Sequence, residues 1–130
     1  MAALLVGHGL IHAMGPVEIW GVADLAELTG APSVALAPTV VTVLAVVWLV
    51  ALAVLVAAGW AEATRRRWWR PAAMVGVVVS QLVIIVVWGD AATGTIPNLL
   101  IVAGLLVTRR APAPLGRSGA AQRPSTRTAS

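Results

Sequence analysis

The chain has 130 residues, of which 59% are hydrophobic and only 11% are charged, and its mean hydropathy is +0.91. Soluble domains carry about a quarter charged residues, so this composition argues against a soluble fold and for membrane spans. The sequence has no cysteine, which excludes disulfides, thiolate metal sites and thiol nucleophiles.

The basic residues are nine arginines, and the formal net charge is +4. They fall in two clusters, at residues 65–70 and 109–127, and both clusters flank hydrophobic stretches. Flanking arginines are expected to orient membrane helices, whereas a nucleic-acid-binding domain would spread them over a folded face. The sequence therefore predicts the lipid bilayer as a partner and no binding of nucleic acid.

The first predicted span covers residues 2–20 and is interrupted by His8, His12 and Pro16. It lacks the basic start of a secretory signal, which favours a helix that is retained. Pro16 has no N–H to donate to the carbonyl of His12. Either a kink opens the helix near Gly15, or the proline is simply one of those that membrane helices commonly contain.

Residues 21–37 form a predicted linker without positive charge, in which residues 24–27 have the pattern of a capped interfacial helix. The second predicted span covers residues 38–59 and begins with a proline, which suits a first helical turn. Valine is abundant here, but an apolar run of about 20 residues in lipid requires a helix. A basic loop at residues 60–70 follows, with three tryptophans at the expected interface.

The third predicted span covers residues 71–89, and its apolar core is broken only by Ser80 and Gln81. The fourth covers residues 96–110. Its helix of about 22 Å is short against a hydrocarbon core of about 30 Å. Either it stands upright in a locally thinned bilayer, or residues 91–95 dip into the interface.

The arginine count predicts the orientation. The loop at residues 60–70 holds four arginines and the segment at residues 109–130 holds five, whereas the other two connections hold none. Four crossings place both basic segments on one side, as the positive-inside rule requires. We therefore predict an all-α, multi-pass cell-membrane protein: a four-transmembrane-helix bundle over residues 1–110 with both termini cytoplasmic, and a disordered cytoplasmic tail over residues 111–130.

Two histidines carry the main functional signal. His8 and His12 are spaced i, i+4, so both imidazoles lie on one helix face near the bilayer centre. Polar side chains at that depth suggest function by default. They either bond to other helices, or form a small-ligand or proton site, or bind a metal or haem. Gln81 lies at a similar depth, and we expect His8 or His12 as its partner.

A second set of polar residues lies toward the predicted outer side. One interpretation is that Glu18, Asp90 and Asn98 form a polar vestibule there. The alternative is that Asp90 and Thr95 cap helices and that Glu18 is a surface residue.

Three motifs support a resemblance: HGLIH at residues 8–12 followed by Gly15, SQLVII at 80–85 leading to WGD at 88–90, and GTIPNLLI at 94–101. They resemble a family of uncharacterised small bacterial four-helix membrane proteins that typically read HGLIHxxG, SQxLIIxxWSD and GTIxNLIIL. The resemblance covers most of residues 1–107, and the architecture is also loosely similar to DoxX-like proteins. It implies four helices in a bacterial inner membrane and no established activity. It also draws attention to five positions: His8, His12, Gln81, Asp90 and Asn98.

Three functional hypotheses follow. The first is a non-enzymatic accessory or interaction subunit that binds a membrane protein partner or forms a homo-oligomer. The second is a small-ligand, proton or redox-carrier site for a metal, haem or quinone at His8, His12 and Gln81. The third is a permease-like subunit that needs oligomerisation. Any site is expected along the first span, facing the third, in the outer half.

Overall fold

The computed structural model describes residues 1–22 and 36–109, and this part of the chain is helical without strands. Four of its segments are long and apolar enough to cross a membrane, which confirms the predicted all-α class and number of spans. They are Ala2–Ile19, Pro38–Ala63, Trp69–Val86 and Trp88–Thr108. The predicted interfacial helix at residues 24–27 and the predicted tail at residues 111–130 lie outside the described residues.

The helices are α1 (Ala2–Ile11), α2 (Met14–Ile19), α3 (Pro38–Ala63), α4 (Trp69–Val86), α5 (Trp88–Ala91) and α6 (Thr95–Arg109), with a 3₁₀ turn at Ala92–Gly94. α6 has the predicted 15 residues. Only together with α5 and the 3₁₀ turn does the fourth span reach 21 residues. The connection that precedes α6 is therefore itself helical.

The first span breaks between α1 and α2. The N–H of Ala13 donates to the carbonyl of Leu10 at 3.0 Å, which is an i→i−3 bond of the 3₁₀ type. The regular i→i−4 pattern resumes where the N–H of Val17 donates to the carbonyl of Ala13 at 3.1 Å. The break coincides with His12, whose carbonyl would have accepted the N–H that Pro16 lacks. Of the two interpretations of Pro16, the structure shows the interrupted helix.

α3 is the central helix and packs against both α1 and α4, while α4 also packs against α6. Two glycines let α1 and α3 approach closely. A Cβ at Gly9 would lie 3.3 Å from the carbonyl oxygen of Leu52, and one at Gly59 would lie 3.1 Å from that of Ala2. Small residues at such crossings allow backbone contact, which supplies packing energy where lipid competes for every apolar surface.

Hydrogen bonds at one end of the bundle join the ends of helices that are distant in sequence. The Arg70 Nη2 donates to the Thr108 carbonyl at 3.0 Å, which joins the start of α4 to the end of α6. The backbone N–H of Ala2 donates to Glu62 Oε2 at 2.7 Å, which joins the start of α1 to the end of α3. We call this the arginine end, because the loop at residues 64–68 also lies here.

The apolar core lies in two layers. The larger cluster, toward the arginine end, draws on all four spans and comprises Leu5, Leu55, Ala58, Ala73, Val77, Ile101 and Leu105. A smaller cluster at the opposite end comprises Leu44, Val83 and Val87. Buried polar side chains from α1, α4 and α6 lie beyond the larger cluster, on its side away from the arginine end.

Candidate functional site

A network of buried hydrogen bonds joins the first, third and fourth spans. His8 Nε2 donates to Asn98 Oδ1 at 2.8 Å, and His12 Nε2 lies 2.8 Å from Ser80 Oγ. Asn98 Nδ2 donates both to Ser80 Oγ and to Gln81 Oε1, each at 3.0 Å. Gln81 Nε2 in turn donates to the Thr95 hydroxyl at 3.2 Å. We call these six residues, His8, His12, Ser80, Gln81, Thr95 and Asn98, the polar network.

Helix geometry explains how this network forms. The i, i+4 spacing stacks the two imidazoles one turn apart, with ring centroids separated by 4.8 Å. Ser80 and Gln81 are consecutive on α4, so they point about 100° apart around the helix axis. Ser80 therefore faces the histidines of α1, while Gln81 faces α6.

The structure corrects the predicted partner of Gln81. Neither histidine bonds to it; its amide bonds to Asn98 and Thr95 instead. Ser80 occupies the position that faces the histidines and is fully buried. The sequence marks Ser80 only as a polar residue without an assigned role, although its place beside Gln81 in an apolar span was a usable signal.

The hydrogen bond to Asn98 indicates where the proton of His8 lies. Asn98 Oδ1 can only accept, so His8 carries its proton on Nε2 and its Nδ1 is an acceptor. Ser80 Oγ accepts from Asn98, and its bond with His12 Nε2 has no fixed direction, because a hydroxyl oxygen has two lone pairs and one proton. Among the residues that the structure describes, His8 Nδ1 is a buried side-chain atom without a hydrogen-bond partner.

A cavity of about 710 Å³ lies beside the two histidines, at the end of the bundle opposite the arginine end, and we call this the cavity end. Both His8 and His12 line it. Its apolar walls come from four of the helices and include Ile11, Met14, Leu44, Trp48, Ile84 and Val87. The cavity is therefore largely hydrophobic, with two imidazoles at its inner boundary.

The predicted outer vestibule is present in part. Glu18 and Asp90 both line the cavity, whereas Asn98 belongs to the polar network. The predicted cap at Thr95 is wrong. Neither α5 nor the 3₁₀ turn has a side-chain cap, and Thr95 lies within α6, where its hydroxyl accepts from Gln81. The helical connection leaves no extended N-cap position for Thr95 to occupy.

Gly15 and Trp48 shape one wall of the cavity, and both residues line it. A Cβ at Gly15 would overlap the six-membered ring of the Trp48 indole. The indole thus lies directly on the backbone just after the break in the first span. Sequence analysis placed Gly15 near a possible opening but did not identify Trp48, because nothing in an apolar run distinguishes a tryptophan that lines a cavity.

The side chains around the two histidines offer too few ligands for a metal ion. In the described parts of the chain, no group of three or more His, Asp or Glu side chains is placed to hold an ion. The Nε2 atoms of His8 and His12 are already bonded within the polar network. Metals usually require three or four protein ligands, so the hypothesis of a metal at the histidine pair gains no support from this geometry.

Comparison with known proteins adds no further information about function. No protein-family model, curated protein or solved structure matches the chain. The family resemblance described above stays a prediction, and function is argued from the site alone.

Proposed function

We propose that this protein is a non-enzymatic membrane protein that binds a small, mainly apolar molecule in the cavity at the cavity end. The observation that carries the proposal is the position of His8 and His12, two polar side chains at the inner boundary of an otherwise hydrophobic cavity. A buried atom of one of them, His8 Nδ1, has no hydrogen-bond partner, which adds to it.

Size and lining both support a small-molecule ligand. Ligand pockets usually measure about 300–1,000 Å³ and combine apolar walls with a few placed polar groups. The cavity measures about 710 Å³ and has this composition. A packing role for the histidines accounts for the polar network, but it does not account for a cavity of that size next to them.

Catalysis is not part of the proposal, although Ser80 and His12 form a pair that resembles a nucleophile and its base. A nucleophile must reach its substrate, and a working pair needs both groups at the reacting atom. Ser80 is 0% exposed. It also contributes nothing to the lining of the cavity.

The other two hypotheses are less well supported. A permease needs a route through the bundle, but the larger apolar cluster fills the half toward the arginine end. Transport by this chain therefore requires an oligomer or a rearrangement of that cluster. An accessory subunit needs only apolar outer faces, which serve lipid and partner helices equally well.

For orientation, we propose that the arginine end faces the cytoplasm and that the cavity end faces outward. Arg70 bonds to the Thr108 carbonyl, so the first arginine cluster and the end of α6 lie at the same end of the bundle, and the second arginine cluster follows α6 in the sequence. The positive-inside rule assigns such an end to the cytoplasm. Trp60 and Trp68 are exposed there, as expected for an interfacial belt.

The cavity is tested by filling it. Val41 lines it, whereas Val43, on the same helix, is 55% exposed and does not. We expect small molecules that co-purify with the full chain in mild detergent to be retained by Val43→Trp and lost from Val41→Trp, as measured by native mass spectrometry and by analysis of extracts. The proposal is contradicted if both variants retain equal amounts of co-purified small molecules, or if the unmodified protein carries none.

A further inference from the structure

We propose that the loop at the arginine end binds the phosphate of an anionic phospholipid head group. The loop comprises residues 64–68, between α3 and α4, and contains Arg65, Arg66 and Arg67. It lies at the opposite end of the bundle from the cavity, and the proposal does not depend on the cavity having a ligand. Three features of the loop support it: its backbone conformation, the charge around it and the tryptophans beside it.

The backbone of the loop holds an arginine where helix ends usually have glycine. α3 ends in a Schellman motif, in which the N–H of Arg66 donates to the Ala61 carbonyl at 2.7 Å. The N–H of Arg65 donates to the Glu62 carbonyl at 3.0 Å, and Arg65 takes the left-handed position of the motif with a φ of 55°. Glycine adopts this conformation without a steric penalty, whereas a residue with a Cβ does not. Arginine is therefore less favourable than glycine for the backbone here, and what it adds is a guanidinium group.

The loop also carries more positive charge than the fold requires. Residues 63–71 hold four arginines and no acidic residue. Glu62, just before them, accepts the backbone N–H of Ala2. The C-terminus of a helix carries only about half a negative elementary charge, which is far less than three guanidinium groups can neutralise. The excess positive charge is complementary to an anionic head group, whose phosphate suits the paired N–H groups of a guanidinium.

Two tryptophans beside the loop indicate that it lies at the depth of lipid head groups. Trp60 and Trp68 are 55% and 43% exposed, and their ring centroids are 6.4 Å apart. Exposed tryptophans concentrate at the membrane–water interface. The Arg66 guanidinium lies over the Trp60 ring, 6.0 Å from its centroid. A guanidinium over a ring face still has the N–H groups at its edge for a phosphate oxygen.

A phospholipid fits this surface better than a soluble phosphate does. Arginine binds the phosphate group of either molecule. The exposed indoles beside the arginines add an apolar surface that an acyl chain can contact and that a soluble phosphate leaves unused. Basic clusters next to a membrane span also attract anionic lipids. The occupant of this surface is therefore an anionic phospholipid.

The test uses the purified full chain in mild detergent, with phosphatidylglycerol and phosphatidylcholine that have identical acyl chains. Native mass spectrometry over a titration gives the apparent affinity for each lipid. Each arginine near a membrane surface contributes about fivefold in affinity, so we expect the three in the loop to favour phosphatidylglycerol more than about tenfold. An excess of glycerol phosphate should not displace the lipid. Displacement would assign the loop to a soluble phosphate and overturn the proposal.

Arg65→Gly separates lipid binding from folding, because glycine suits the left-handed backbone at this position. We expect this variant to resist unfolding by SDS at least as well as the unmodified protein, while its preference for phosphatidylglycerol falls about fivefold. Arg123→Gln is the charge-matched control. It removes one positive charge at a position outside the described residues, and we expect it to leave the preference unchanged.

Three results would overturn the proposal. The first is equal affinity of the unmodified protein for the two lipids. The second is an unchanged preference in Arg65→Gly, which would leave the arginine at this position without a role in binding. The third is an equal loss of preference in both variants, which would show that lipid binding follows the net charge of the chain and not this loop.

Discussion

His8 and Asn98 are separated by 90 residues in sequence, yet His8 Nε2 lies 2.8 Å from Asn98 Oδ1 in the middle of the bundle. Both side chains are nearly fully buried, with 3% and 2% of their surface exposed. Asn98 also bonds to Ser80 and Gln81. One side chain on the fourth span thus holds the first and third spans in register.

The first prediction concerns this role of Asn98. Asn98→Leu keeps the branched shape of the side chain but removes three hydrogen bonds, and it leaves His8 and Gln81 with unmet bonding groups. Such bonds in membranes contribute about 0.6 kcal/mol each on average and up to about 1.7, so we expect a loss of about 1–3 kcal/mol in the free energy of unfolding. Reversible unfolding by SDS in mixed micelles measures it.

The control for that experiment is Leu100→Ala. Leu100 lies on the same helix, and 54% of its surface is exposed to the surroundings of the bundle. Its truncation removes no contact within the polar network, and we expect a change below about 0.5 kcal/mol. If the two variants lose equal stability, Asn98 does not organise the bundle in the way that the structure indicates.

The second prediction concerns Gly15 and Trp48. In Gly15→Ala the new methyl group overlaps the Trp48 indole, so the tryptophan must move and the wall of the cavity changes shape. Overpacking of this kind typically costs about 1–3 kcal/mol. We expect a lower unfolding free energy in SDS titrations and a lower content of small molecules that co-purify with the full chain.

Gly7→Ala is the matched control for Gly15→Ala. It is the same substitution in the same span, at an exposed position where a Cβ has open space. Alanine also favours the helix over glycine by about 1 kcal/mol, so we expect no loss of stability. An unchanged content of co-purified small molecules in Gly15→Ala would show that the indole does not set the wall of the cavity.

The third prediction concerns the start of the first span. The Glu62 carboxylate accepts the backbone N–H of Ala2 at 2.7 Å, which satisfies one of the unpaired donors of the first helical turn. We expect Glu62→Ala to cost about 1 kcal/mol, as for the loss of a helix cap, and Glu62→Gln to cost less because it keeps an acceptor oxygen. Faster amide exchange in the first turn of α1 would accompany the Ala variant alone, and equal exchange in both variants would rule out this contact.

Much of the fold could be predicted from the sequence because lipid removes the alternatives. An apolar run long enough to span must be helical, and prolines at positions 38 and 71 indicated where two spans begin. The boundaries were less accurate. The second span continues to Ala63, four residues beyond the predicted end, because Glu62 is held by the start of α1 rather than by solvent.

The site could be predicted only in part. The spacing of His8 and His12 placed them on one face, but the pattern could not show that Ser80, rather than Gln81, turns toward them. That choice depends on the rotation of α4 about its axis, which is set by packing against two neighbouring helices. The cavity could not be predicted for the same reason, because it depends on how α2, α3 and the connection before α6 are placed.

The last prediction concerns orientation, and the absence of cysteine from the sequence makes it easy to measure. Single-cysteine variants have no background reactivity with maleimides. Ala63→Cys lies at the arginine end and Gly89→Cys at the cavity end, and both positions are exposed. Because arginines flanking a span are retained in the cytoplasm, we expect a membrane-impermeant maleimide to label Gly89→Cys in intact cells and Ala63→Cys only after permeabilisation. A reporter fused after Ser130 should likewise read as cytoplasmic. Labelling of Ala63→Cys in intact cells would reverse the bundle and place the cavity on the cytoplasmic side, where its ligand would have to come from the cell interior or the inner leaflet.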